Sequence, residues 1–447
     1  MRAMTETLVY KFGGSCLKGQ SDIEAIARRI IEADDAKVIV VASALHGITD
    51  RILERLGRDG VDSIEPFVTS IEMTHLEFSP TLVEQPFSSI FHQAKNLLLI
   101  AMQTYLDDQT QSTKSEALAC GERMSSVAIA AALTECGIDA ASAWAEQIGI
   151  HLDRFSEEPQ IDLEKTASSL SLPHAEVPVV TGWYGLSEEG VSLLGRGGSD
   201  LTATSLAAVL NAQEVTIWRD VPGVLALAPR WSLPSRNLPY LSYTEASELA
   251  LFSEPMLHHL AVEPLRSRGI PLRLRPLHDP TSLGSCIGPK ISAGPPEVRA
   301  VGCLPRLVPL TMRLSGVVTV AKVVADATAE LERCQIRIWS LRAQPGEARF
   351  LVSERSASRA VRQLSEHPSL PTPESGPPIA LLCLVGEGIG ADDAVEERIV
   401  ALGRASDLLL TPLDEGKRDH ALHFTVPAER THDALAALAS ELNLLSA

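Results

Sequence analysis

The strongest constraint in this chain is a pair of glycine turns, each set between an apolar strand and a helix. One is Gly195-Arg196-Gly197-Gly198-Ser199-Asp200. It follows Leu193-Leu194 and precedes a segment, 201–210, in which Leu201, Ser205, Leu206 and Val209 recur at helical spacing. The other is Lys11-Phe12-Gly13-Gly14-Ser15-Cys16, entered from Leu8-Val9-Tyr10 and leading to the helix face Ile23, Ala27, Ile30, Ile31. Glycines at a strand-to-helix junction let backbone N–H groups approach an anion, and the helix dipole adds a favourable field. Arg196 can hold a carboxylate or phosphate bidentately. Asp200 sits where it can cap the helix or orient a cation. Lys11 puts one fixed cation beside a backbone cradle, which suits a transferring phosphoryl group. The G-x-x-x-x-G-K-[ST] spacing of a P-loop is absent. Either turn alone reads equally well as a tight turn with a surface cation. Their recurrence points to a shared anion pocket.

The strands around them suit a parallel sheet. Lys37-Val38-Ile39-Val40-Val41 and the run 176–180 are continuous and apolar, as in strands buried on both faces. Such sheets bind ligands at the carboxyl ends of their strands. Ser43 and Thr49 follow one such end, where turn and cap chemistry is their other reading. The segment 116–134 is alanine-rich and helical, with Glu122 after Gly121 near its start, a favourable place for a carboxylate. An ordinary first-turn glutamate fits equally. Between 56 and 118 the chain is mostly helical, and His75 and His92 read as surface groups without metal-site spacing.

A length of 447 residues allows two or three domains. A net charge of −18 argues against nucleic acid or an anionic membrane as partner, since both call for basic patches. The seven cysteines form no C-x-x-C pair, as expected of reduced thiols in the cytoplasm, and Cys16 reads as a small filler. No 18-residue apolar run is present. The Gly/Pro-rich stretch 284–296 reads as a linker. Beyond it a β-α-β pattern is used twice, about 70 residues apart, as an internal repeat. The first copy reads Leu307–Met312, helix Val320–Cys334, strand Ile336–Ser340, strand Ala348–Ser353, helix Ser356–Leu364. The second reads Ile379–Val385, helix Ala391–Ala405, strand Leu408–Pro412, strand His420–Val426, helix Glu429–Leu442, with the break at Pro371–Pro378.

Further segments fall in a recognisable order. They are Lys11-Phe12-Gly13-Gly14-Ser15, Val40-Val41-Ala42-Ser43-Ala44 with Gly47-Ile48-Thr49, Gly121-Glu122-Arg123-Met124-Ser125, the Arg196 turn, and Ile217-Trp218-Arg219-Asp220-Val221-Pro222-Gly223-Val224. Leu241-Ser242-Tyr243, Glu245-Ala246 and Leu257-His258 follow. The chain resembles the aspartokinases of the amino-acid kinase superfamily along its whole length. The resemblance implies an α/β fold. A three-layer, mostly parallel kinase domain would span 1–295, followed by two α+β ACT-like (ferredoxin-like) domains at 297–372 and 376–447. It implies ATP-dependent phosphorylation of the side-chain carboxylate of L-aspartate to 4-phospho-L-aspartate, with ATP and Mg²⁺ as cofactors. It also implies a cytoplasmic homodimer joined through the ACT domains. Ser43, Thr49, Glu122 and Arg196 would bind the amino acid, Glu122 reading the ammonium and Arg196 a carboxylate. Lys11 would meet the phosphates, oriented by Asp200. Gly13, Gly14, Ser15, Arg219, Asp220 and Arg230 would hold the nucleotide. The metal ligands are not identified.

The chain departs from the family on the nucleotide side. Arg219 stands where a threonine is usual, Leu225 for a tyrosine, Ala228 for an aspartate and Pro255 for a lysine. The segment 339–344 also departs from the usual effector-loop pattern, and the opening loop at Ser315-Gly316 is short. Two other readings stay open: a kinase for another acidic amino acid or analogue, and a catalytically weak ACT-containing amino-acid sensor.

Overall fold

A computed structural model describes residues 6–57, 63–153, 159–195, 197–252, 257, 259–279, 281–291, 295–314, 319–413 and 418–446. The chain divides into two compact units: 1–224, 237–247 and 255–291 in the first, 225–236, 248–254 and 292–447 in the second. The boundary expected near 295 thus falls at 291/292, and two short stretches of the expected kinase domain group with the second unit. One reason is backbone pairing. Val301 N–H donates to the Ala226 carbonyl at 2.8 Å, and Ala226 N–H donates to the Arg236 carbonyl at 3.0 Å.

The first unit is built on an eight-stranded sheet. Its order from one edge is Tyr240–Ser242, Ser285–Gly288, Leu272–Pro276, Glu214–Arg219, Thr7–Phe12, Lys37–Ala42, Val177–Thr181, Ala140–Ala143. Every neighbouring pair is parallel except Leu272–Pro276 with Ser285–Gly288. Parallel neighbours require crossovers, and buried central strands explain the continuous apolar runs. Side chains alternate between faces. Tyr10, Phe12, Val38, Val40, Val177, Val179 and Trp218 join the core formed with the helices of the first 135 residues. Val9, Ile39, Val41, Val215 and Ile217, at the other parity, are also buried. On that second face the helix Gly198–Leu210 lies along Thr7–Phe12.

The second unit joins both copies of the repeat into one seven-stranded sheet. The expected strand Leu307–Met312 is the second half of a longer strand, Ala300–Arg313. Its first half pairs with Ile379–Val385 and its second half with Glu347–Ser353, with a register shift between Leu304 and Leu307. A single strand therefore serves both repeats. The loop expected at 339–344 is instead part of an edge strand, Ile338–Gln344, paired to Glu347–Ser353. A register shift between Ile338 and Ser340 interrupts its alternation. Among the described residues no helix is long and apolar enough to cross a membrane, and all seven cysteines are free thiols.

Candidate active site

Register creates the site. Phe12 pairs with Ala42 and Trp218, and Ala42 pairs with Thr181, so four strand ends lie level. The loops after them, starting at Gly13, Ser43, Gly182 and Arg219–Asp220, open at one rim. This is where a parallel sheet presents backbone amides and side chains to a ligand.

Lys11 alternates with Tyr10 and Phe12, so it projects to the face carrying the helix Gly198–Leu210. Its Nζ lies 2.7 Å from Asp200 Oδ1, with both side chains nearly buried. Asp200 Oδ2 accepts from Arg219 Nη2 at 2.8 Å. One carboxylate thereby clamps two cations from adjacent strands. The N-cap of that helix is Gly197, with φ 80°, and no side chain caps it. Asp200 therefore does not cap the helix. It sits in the first turn, beside the helix's positive end, and orients two cations. The helix itself begins at Gly198, three residues earlier than its apolar spacing suggests.

The glycines are needed for space. A Cβ on Gly14 would stand 3.2 Å from the Ala44 carbonyl oxygen, and one on Gly182 2.7 Å from Ser199 Cβ. Close approach of the two turns brings Ser43 Oγ to Ser199 Oγ, which accepts its hydrogen bond at 3.0 Å. Ser15 is half-buried in the single turn Gly14–Cys16, and burial pushes the Cys16 thiol up to about 11, which suits an inert filler. Thr49, half-buried, stands in the first turn of the helix Ile48–Leu56.

Glu122 is not in a first turn. Its helix runs Gln111–Glu135, starts at the N-cap Thr110, and places Glu122 in the middle. Helix-dipole stabilisation is therefore unavailable to it. The helix crosses Ile48–Leu56 at Gly121, whose added Cβ would meet Ile48 Cγ2 at 3.3 Å. That close crossing buries Glu122 to 3% exposure and leaves its Oε2 without a hydrogen-bond partner. Burial pushes its carboxyl up to about 8, opposed by a hydrogen bond from the Ala44 backbone and by the Lys11 charge. A buried carboxyl with one oxygen unpartnered is suited to meeting a positive group.

Other side chains turn out to be structural. Arg123, buried beside Glu122, bridges Glu116 and Glu146 at 2.7 Å each and lies over the Trp144 and Tyr184 rings. His75 is not a surface group. It is fully buried, with Nδ1 2.8 Å from the Ile71 carbonyl and Nε2 3.2 Å from Ser125 Oγ, and burial lowers it to about 4. Ser125 Oγ in turn accepts from the Leu45 N–H at 2.8 Å, tying this helix to the Ser43 loop. His75 lies on the one buried stripe of its helix, Ile64, Val68, Ile71, His75 and Phe78, so helical spacing does mark its place and only its polar type suggested the surface. Ser199 joins the site as well, from inside the Arg196 turn.

Asp220 is exposed at the end of its strand. Arg230 groups with the second unit, where its Nη2 donates to the Cys303 carbonyl at 2.5 Å and its guanidinium lies over Trp231. Leu225 and Ala228 group there too. Arg196, Pro255, His258 and Ser315-Gly316 lie outside the described residues.

Comparison with known proteins follows from this geometry. A profile described as "Amino acid kinase family" matches residues 6–276. Aspartokinase 2, chloroplastic, of Arabidopsis thaliana is 31% identical over 300 residues, 63% of this chain and 54% of that protein. The lysine-sensitive aspartokinase 3 of Escherichia coli is 26% identical over 459 residues, 98% of this chain and 100% of that protein. The chain spans about half the length of the plant relatives it matches, 54%, 53% and 52% of each. The crystal structure of E. coli aspartokinase III, solved with aspartate and ADP, superposes with a TM-score of 0.82 at 22% identity, over 98% of this chain and 100% of that one. Clostridium acetobutylicum aspartate kinase gives a TM-score of 0.75 at 18% identity, over 98% and 99%. The matched profile covers both glycine turns, Glu122 and every strand of the first sheet except Ser285–Gly288. The chain belongs to the amino acid kinase family.

Proposed function

We propose that this chain transfers the γ-phosphoryl group of ATP to the side-chain carboxylate of L-aspartate, giving 4-phospho-L-aspartate and ADP. One observation carries the reading. A buried, partnerless carboxylate, Glu122, lies within the field of Lys11 in a unit that also presents the Lys11–Asp200–Arg219 cluster. An anionic acceptor with an ammonium group needs both signs of charge at once, and this rim supplies both. Support also comes from relatives of that name and from the fold shared with an enzyme solved with aspartate and ADP.

Glu122 takes the substrate ammonium, losing its own proton as it does so. Ser43 and Thr49 complete the amino-acid pocket, with Arg196 as the expected carboxylate partner. A carboxylate nucleophile needs no general base at neutral pH, so positioning and charge neutralisation do the work. The amides of Gly13 and Gly14 and the Lys11 ammonium face the transferring phosphoryl group. The space beside Gly14, which a Cβ would fill against Ala44, fits a phosphate cradle. Asp200 holds Lys11 and Arg219 in place, and Arg219 adds a cation where relatives carry a threonine. Asp220, Ser15 and Arg230 complete the nucleotide contacts. Mg²⁺ bound to the phosphates would supply further neutralisation. Both oxygens of Asp200 already face cations, which leaves the exposed Asp220 as the rim carboxylate suited to that ion. The second unit joins two copies in a homodimer. The strand Ile338–Gln344, which ends the order of its sheet, supports this.

A coupled assay of ADP release, with hydroxylamine trapping of the acyl phosphate, tests the activity. ADP release that depends on aspartate, with trapped hydroxamate, is the expected result. No release with aspartate at any ATP concentration would overturn it.

A further inference from the structure

The second unit contains a cluster that the kinase reaction does not use. Gly302, Cys383 and His423 lie in line across three antiparallel strands. Residues in line on neighbouring strands share a face, so the Cys383 and His423 side chains stand side by side. Gly302 contributes no side chain. A Cβ there would come within 2.6 Å of Phe252 Cβ, so the end of the helix Tyr243–Phe252 packs directly on the sheet. That packing carries Glu248, which groups with the second unit, onto the same row.

The three donor atoms, a carboxylate oxygen, the thiol sulfur and an imidazole nitrogen, all lie within 4.8 Å of one another. Glu248 Oε1 and His423 Nε2 are 3.2 Å apart, and neither atom has a hydrogen-bond partner elsewhere. The same separation suits two ligands of one ion. Bonds of about 2.0–2.1 Å at a tetrahedral centre set N and O ligands roughly 3.3 Å apart. The Glu248 side chain is only 4% exposed, and Cys383 is fully buried. The other carboxylate oxygen, Oε2, is held by Arg418 Nη1 at 2.6 Å, with His420 Nε2 at 3.5 Å. Such outer partners fix a ligand carboxylate and leave one oxygen to bind. A cavity of about 280 Å³, lined by Glu248, His423, Arg418, Arg337 and Trp339 among others, opens at the cluster.

We propose that Glu248, Cys383 and His423 form a Zn²⁺ site, with a fourth position open to the cavity. Thiolate, imidazole and one carboxylate are a zinc donor set, whereas Mg²⁺ takes oxygen ligands. On binding, a Zn–S bond forms and the thiol proton passes to solvent, with no change of oxidation state. The ion ties the helix Tyr243–Phe252 to the sheet, and water or a small anion takes the fourth position. The site is independent of the kinase reading, since its ligands all belong to the second unit.

The test uses the full-length chain, stripped with chelator and titrated with Zn²⁺ alone, and in parallel with Co²⁺. One equivalent per chain is expected, with a thiolate-to-Co²⁺ charge-transfer band and a rise in Tm on adding Zn²⁺. Cys383→Ser removes the band. His423→Gln and Glu248→Gln each weaken Zn²⁺ binding by more than tenfold, and Arg418→Ala weakens it about tenfold. Cys136→Ser, in the other unit, leaves binding unchanged. Should Cys383→Ser fail to fold, the Co²⁺ spectrum of the wild-type chain decides alone. A wild-type chain without the charge-transfer band overturns the proposal. So does Zn²⁺ binding of equal affinity in folded Cys383→Ser and His423→Gln.

Discussion

Two glutamates, one in each unit, are equally buried at 3% exposure and meet opposite surroundings. Glu122 has an Oε2 without a partner, and burial raises its carboxyl to about 8. Glu248 also suffers desolvation, but His420, His423 and Arg418 outweigh it and hold its carboxyl well below the usual range. An acid stored without a counter-ion stays neutral until a cation arrives from outside. An acid stored among cations is ionised from the moment the fold closes. The first arrangement suits binding of a substrate ammonium. The second suits a permanent structural centre, with one oxygen left over for an ion.

The largest expected effect falls outside both glutamates, on the cation beside the first. Lys11→Ala should lower kcat by roughly 10²- to 10³-fold, as for loss of a group aimed at developing charge. Steady-state rates at saturating aspartate and ATP check this, and an unchanged kcat would remove Lys11 from the reaction. Next, Glu122→Gln should raise the KM for aspartate by roughly 10- to 100-fold, the scale of a lost charge-assisted hydrogen bond, without lowering Tm. A drop in Tm with an unchanged KM would make Glu122 a structural group like Glu248.

The pH response sharpens the contrast. Since the empty-site carboxyl titrates at about 8 rather than 4.5, aspartate must displace a proton from it at neutral pH. Binding should therefore tighten about tenfold between pH 7 and 9 and level off above. Calorimetry in buffers of different ionisation enthalpy should show close to one proton released per aspartate at pH 7. The sign for stability is the reverse. A folded value raised above the unfolded one gives stability that is full below 4.5 and lost as pH rises through about 8. Aspartate affinity that is flat across this range would remove the proton exchange. The smallest effect belongs to the second unit. Metal-free Glu248→Gln should lose about 1–3 kcal/mol of stability, because Arg418 and two imidazoles lose their anion. Urea denaturation of the stripped chain measures it, and kcat should not change.

Much of the first unit was legible in the chain. Both glycine turns are where the spacing put them, because added Cβ atoms would crowd the Ala44 carbonyl at Gly14, 3.2 Å away, and Leu194 at Gly198, 2.5 Å away. The buried strands were legible because parallel strands covered on both faces leave continuous apolar runs. The repeat of the second unit was legible from two rounds of strand, helix, strand, strand and helix. The long strand Ala300–Arg313 was not, since pairing with two different partners leaves no local mark. The mid-helix place of Glu122 was also hidden. An alanine-rich helix buried on all sides, as Gln111–Glu135 is from Ala117 to Leu133, has no polar face, so periodicity shows neither where it starts nor which side chains it encloses.

By itself the sequence settled the fold class and the two glycine-flanked turns, because turn chemistry and side-chain patterning are local. Only the tertiary structure decided which charges meet. Lys11, Asp200 and Arg219 are separated by up to 208 positions, and the register of two strands with the helix Gly198–Leu210 packed over them brings them within hydrogen-bonding distance. Glu248, Cys383 and His423 converge in the same way, through a row of paired strands and a glycine that lets a helix rest on it. Long-range pairing is what turns scattered residues into sites, and no window along the chain contains it.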